Sequence, residues 1–125
     1  SSFDRSVVAE GCIINSTKIE HSVIGIRSRI DEGSVIKNSY LMGNDFYQSL
    51  TDMKEDIENE NQLIGIGERC YINHALVDKN CRIGNDVYIN GGKHLTNCSE
   101  ELYCIKDGIV VIKKGKTLPD NFRIE

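Results

Sequence analysis

The stretch Ile24-Gly25-Ile26-Arg27-Ser28-Arg29-Ile30-Asp31-Glu32-Gly33-Ser34-Val35-Ile36 decides the fold. Ile24, Ile30 and Ile36 are six apart, and Met42 continues the step. Working outward, Val8 and Ile14 show the same interval, as do Ile66 and Ile72, and then Val77, Ile83 and Ile89. Steps of five join Ile14 to Ile19, Ile19 to Ile24, and Ile72 to Val77. A period of six fits neither a helix at 3.6 nor a strand at 2. It fits a solenoid whose coil has three short flat sides, with the recurring aliphatic residue pointing inward. β-branched residues suit the flat sides. Gly, Asp and Asn suit the corners, as in Ile24-Gly25, Ile66-Gly67, Ile83-Gly84 and Val77-Asp78. The expectation is an all-β fold, a parallel β-helix of hexapeptide repeats. Its left hand is a regularity of such folds and is not dictated by the spacing. The alternative is a β-sandwich, which would want turn signals every 8–12 residues and clear in-out alternation.

The rhythm stops between Gly43 and Leu63. Phe46, Leu50, Met53 and Ile57 are spaced four, three and four apart, so a partly helical insertion is expected near 44–63. Thr51 with Lys54-Glu55 offers a helix start without a clean capping box. The insertion carries Asp45, Asp52, Glu55, Asp56, Glu58 and Glu60 against Lys54. A third block begins near Asn90-Gly91-Gly92. There Tyr103–Lys106 and Ile109–Ile112 flank Asp107-Gly108 as a hairpin or corner, and Phe122-Arg123-Ile124 ends the chain as a strand. The two repeat blocks supply roughly four coils, and a solenoid needs capped ends. The chain therefore reads as one domain, 1–125, of a longer protein, or as one that packs on another subunit.

Composition narrows the function. The 125 residues carry 15 Lys+Arg against 19 Asp+Glu, a net charge of −4, which argues against a general nucleic-acid partner. No apolar run approaches the ~20 residues that cross a bilayer, so no membrane partner is expected. Cys12, Cys70, Cys81, Cys98 and Cys104 form no C-x-x-C pair, and read as small buried hydrophobes of a reducing compartment.

Charge is unevenly spread. Residues 1–78 hold 7 basic and 13 acidic side chains, whereas residues 79–116 hold 7 basic against 4 acidic. A basic third in an acidic chain is a candidate anion site, because Lys is a compact, mobile point charge suited to phosphate. Ordinary solvated lysines are the competing explanation. His21, His74 and His94 come with no nucleophile motif, and no nucleotide-type Gly-rich loop is present. A β-helix also admits a hexapeptide acyltransferase with His21 as general base, or a purely structural oligomerisation module.

Five strings carry a resemblance: 20–30 from Glu20-His21-Ser22, 41–48 with Gly43-Asn44-Asp45-Phe46-Tyr47-Gln48, Ile64-Gly65-Ile66-Gly67, Val77-Asp78-Lys79-Asn80-Cys81-Arg82-Ile83-Gly84, and Ile105-Lys106-Asp107-Gly108-Ile109-Val110. Together they resemble the C-terminal domain of the ADP-glucose pyrophosphorylase (glucose-1-phosphate adenylyltransferase) family, most closely plant and cyanobacterial subunits. The resemblance implies a two-domain subunit. A nucleotidyltransferase domain outside this sequence would hold ATP and Mg²⁺ and join ATP to glucose 1-phosphate, giving ADP-glucose and pyrophosphate. This domain would serve tetramer assembly and allosteric control by 3-phosphoglycerate and phosphate, in the plastid stroma or a bacterial cytoplasm. The resemblance assigns no catalytic residue, metal or cofactor to this chain. It places the effector on Lys79 and Lys114, with Arg82, Lys106 and Lys113 as neighbours. The sequence departs from the family at Leu63, at Asn73-His74 and at Gly91-Gly92, positions expected to surround the effector region.

Overall fold

The computed structural model describes residues 2–15, 17–46, 48–59 and 63–125. Tyr47 and Glu60, named above, lie outside the described residues.

The chain winds into a three-sided parallel coil. The first turn is β1 (Ser2–Asp4), β2 (Val7–Val8) and β3 (Ile13–Ile14). The second is β4 (Lys18–Glu20), β5 (Val23–Ile24) and β6 (Arg29–Ile30). The third is β7 (Val35–Lys37) and β8 (Tyr40–Leu41), then helix α1 (Leu50–Glu58), then β9 (Gly65–Ile66). The fourth is β10 (Tyr71–Asn73), β11 (Ala75–Val77) and β12 (Arg82–Ile83). In the fifth, β13 (Tyr88–Asn90) is followed by an excursion containing β14 (Cys98–Ser99) and β15 (Tyr103–Lys106). The chain then rejoins the coil as β16 (Ile109–Ile112) and β17 (Thr117–Leu118), and β18 (Arg123–Ile124) opens a sixth turn.

Three sheets form the faces. Face one is β1-β4-β7-β10-β13-β18, and face three is β17-β12-β9-β6-β3. Face two is β16-β11-β8-β5-β2, extended by β15 and β14, which pair antiparallel beyond β16. The described residues thus make five full turns where the two repeat blocks suggested about four. The third block supplies the fifth, because Val110 and Ile112 lie in register with Ala75 and Val77.

Register explains the sixfold rhythm. Ile19, Ile36, Ile72, Ile89 and Ile124 stack on face one; Ile24, Leu41, Val77 and Ile112 on face two; Ile30, Ile66, Ile83 and Leu118 on face three. All are buried, and they form one continuous core. Each isoleucine removed from water contributes roughly 1.5–3 kcal/mol. Met42 is a correction: it is half-buried, and Leu41 takes the inward place. The corner from face one to face two is one residue shorter than the others, apart from the first return from face three, where Ile14 to Ile19 is also a step of five. Ile19 to Ile24, Ile36 to Leu41 and Ile72 to Val77 are all steps of five. That corner turns on a single residue at positive φ, namely Arg5, His21, Asn38 and His74 in successive turns. Val8 is exposed because its turn has no neighbour on one side among the described residues.

Close stacking accounts for the glycines that follow the inward residue. A Cβ on Gly84 would come within 2.7 Å of the Asp120 backbone nitrogen, and one on Gly25 within 2.5 Å of the Met42 carbonyl. Small polar residues fill corner interiors. Ser34 Oγ donates to Gly67 O (2.8 Å) and accepts from Cys70 N (3.0 Å). Buried Cys70 and Cys81 occupy such corner positions, and burial pushes both thiols up. The cysteine expectation fails at Cys98, which is exposed, since β14 lies outside the coil.

Helix α1 departs from expectation in two respects. Its cap is Ser49, whose hydroxyl accepts from Asp52 N at 3.0 Å while Asp52 reaches back to Ser49 N, a capping box with Asp in place of Glu. Its apolar stripe is not buried: Leu50 and Ile57 are exposed, and only Met53 is half-buried, near Phe46 and Ile64. The helix is held by polar contacts. Asp56 accepts from Arg82 Nη1 (2.6 Å) and from Gln48 Nε2 (2.5 Å), and Gln48 Oε1 accepts from Ile64 N (2.8 Å).

Candidate functional site

The corner between faces two and three brings the two leading candidates together. Val77 pairs with Ile112, and Arg82 with Thr117. Lys79 and Lys114 each lie two residues beyond the first pair, so they hold the same position in successive turns. Hydrogen bonds bracket them: Asp78 N donates to Ile112 O (3.1 Å) and Gly115 N to Lys79 O (2.9 Å). Neighbouring strands run about 4.8 Å apart. The two lysine side chains therefore rise from backbone positions about one strand spacing apart.

The insertion leaves the coil at this corner. Asn44 N donates to Ile26 O (2.9 Å) and Asn80 N to Gly43 O (3.3 Å), so Asn44 and Asn80 are equivalent corner residues. Asp45, the next residue, turns its carboxylate onto Lys79 and Asn80. Its Oδ1 lies 3.3 Å from Lys79 Nζ, and its Oδ2 accepts from Asn80 Nδ2 at 3.0 Å. The Asn80 hydrogen bond, with Lys79 and then Lys114 adding to it, holds the Asp45 carboxyl below the usual carboxylate range. Lys114 makes no ion pair among the described residues.

The three neighbours do not join this pair. Arg82 lies on the outer side of face three, engaged by Asp56. Lys113 Nζ donates to Glu100 O, which turns it toward the excursion. Lys106 sits in β15 opposite Ile109, five residues from Lys114, or roughly 16 Å along the strand. The departures from the family pattern do not surround the lysine pair either. His74 and Gly91 lie at the corner between faces one and two, at the far end of β11, where Gly91 N donates to Asn73 O (2.8 Å). Asn73 belongs to an amide ladder with Asn38 (3.1 Å) and Asn90 (3.0 Å). Gly92 N donates to Gly108 O (2.7 Å), anchoring the hairpin tip beside Lys106. Half-buried Leu63 leads into β9.

His21 is a poor general base here. Arg5 Nη1 lies 3.2 Å from its Nε2, and the residue is a corner at φ 46°. The guanidinium takes the lone pair that a base would use. Val23 beside it is exposed.

Sequence reasoning missed Asp45 and Asn80 as members of the site. The signal was available: the acidic insertion and the basic third had to meet somewhere, and Asn44 and Asn80 each follow an inward aliphatic residue, Leu41 and Val77, by three positions.

Comparison with known proteins identifies the coil. The family described as the GLGC left-handed parallel beta-helix domain matches residues 1–122. This chain belongs to that family. Its coil is therefore the left-handed β-helix. The chain is also 43% identical, over 116 residues, to the glucose-1-phosphate adenylyltransferase small subunit, chloroplastic/amyloplastic, of Triticum aestivum. That match covers 91% of this chain and 24% of the relative, so the chain spans about a quarter of that relative's length.

Proposed function

We propose that this chain is the C-terminal β-helix domain of a glucose-1-phosphate adenylyltransferase subunit of the small-subunit type, and that its corner of Lys79 and Lys114 binds the anionic effector. The whole protein would make ADP-glucose and pyrophosphate from ATP and glucose 1-phosphate, in plastids. ATP and Mg²⁺ would belong to its catalytic domain, and the β-helix would pack on that domain and on other subunits of a tetramer. Kinship with the wheat small subunit supports the enzyme class. The observation that carries the site is the equivalence of Lys79 and Lys114 on adjacent turns.

Two lysines on backbone positions about one strand spacing apart suit a phosphate dianion or the phosphate and carboxylate of 3-phosphoglycerate. Both lie at the surface, so binding weakens as salt rises. The test is effector response of the full-length enzyme. Lys79→Ala with Lys114→Ala should raise the 3-phosphoglycerate concentration for half-activation at least tenfold and blunt phosphate inhibition, leaving unactivated turnover in place. An unchanged effector response would remove the lysines from the site.

A further inference from the structure

We propose that Asp45 is a built-in occupant of the Lys79–Lys114 site, a tethered carboxylate that a phosphate-bearing ligand displaces one for one. The inference rests on the effector reading above and concerns how that site is regulated.

The contacts that would hold a phosphate oxygen already hold a carboxylate oxygen. Asp45 Oδ1 has the Lys79 ammonium at 3.3 Å, and Oδ2 has the Asn80 amide at 3.0 Å. An ammonium and an amide N–H are ordinary phosphate donors. Nothing else binds Asp45 so tightly that it must stay. Its carboxylate and the Lys79 side chain are each nearly half exposed, at 48% and 42%, and exposed pairs of this kind exchange readily with solvent ions.

The backbone permits the exchange without disturbing the coil. Asn44 is fixed independently: its Nδ2 donates to Arg27 O (2.8 Å), and its carbonyl accepts from Arg27 Nε (3.1 Å). Asp45 N donates to Asn80 Oδ1 (2.9 Å), a contact that does not involve the carboxylate. When the carboxylate swings away, Asn80 thus stays oriented with its Nδ2 free for the incoming ligand. Only the Asp45 side chain has to rotate. Asp45 begins the insertion that carries α1, so an anion at the lysines would change the tether at the root of that insertion.

The experiment is calorimetric titration of the chain with inorganic phosphate, comparing wild type with Asp45→Asn, Lys79→Ala and Lys114→Ala. Asp45→Asn keeps the side chain's size and removes its charge. The proposal expects phosphate to bind Asp45→Asn roughly threefold to tenfold more tightly than wild type, and both lysine variants more weakly. If the lysine variants weaken binding while Asp45→Asn leaves it equal or weaker, Asp45 positions the lysines and the displacement idea is overturned, with the site intact. If lysine substitution changes nothing, the site reading and this inference fall together. Thermal melts of each variant confirm that folding is retained.

Discussion

Asp56 of α1 and Arg82 of face three meet at 2.6 Å, which ties an otherwise exposed helix to the coil. Both side chains are mostly shielded from solvent, so the pair is worth more than a surface contact. Arg82→Ala should loosen α1 by about 1–2 kcal/mol. Hydrogen exchange in Met53–Glu58 should then quicken about tenfold, while Ile72 and Ile89 keep their protection. Unchanged exchange in α1 would mean that the helix is held by something else.

Ile72 is buried between Ile36 and Ile89 on face one, in the middle of the stack. Ile72→Ala should cost about 2–5 kcal/mol in urea unfolding, because a rigid stack closes poorly around the void. Ile13→Ala, in the exposed first turn, should cost less than about 0.5 kcal/mol.

The glycines separate two kinds of constraint. Gly25→Ala drives a methyl into the Met42 carbonyl and should cost about 1–3 kcal/mol, since backbone must shift. Gly115 has φ +72° and open space around it, so Gly115→Ala should cost only about 1 kcal/mol for the left-handed conformation. Equal losses at the two positions would contradict the tight spacing between turns.

Much of this architecture was legible in the sequence. The step of six between Ile24, Ile30 and Ile36 named the coil, because inward side chains must recur once per face. Met42 misled because the corner through Asn38 is a residue shorter, and nothing in the step from Ile36 shows corner length. The α1 stripe misled for another reason. Leu50 and Ile57 have helical spacing, but spacing reports only which residues share a face, not whether anything covers it. At the site, Lys79 and Lys114 are 35 positions apart in sequence, and only the register of Val77 with Ile112 makes them neighbours. Lys106 and Lys113 belong to the same basic third, yet the excursion turns them elsewhere.

Acid should weaken the fold in a defined direction. The Arg69 guanidinium grips Asp86 through Nε at 2.8 Å and Nη2 at 3.0 Å, holding that carboxyl below its ordinary range, as Asn80 and Lys79 do for Asp45. A folded-state pKa below the unfolded one adds stability above the unfolded value, near 4, which is lost as pH falls through the folded value. Melting temperature should therefore drop below about pH 4, and Asp86→Asn should flatten part of that drop. An acid limb of the same steepness in Asp86→Asn would contradict the assignment.

The pairing of Lys79 with Lys114 is tested most directly by a nuclear magnetic resonance titration of the chain with 3-phosphoglycerate. The backbone amides of Lys79, Asn80, Lys114 and Gly115 should shift together along one saturation curve. Separate curves for the two lysines, or shifts confined to the hairpin around Lys106, would contradict it.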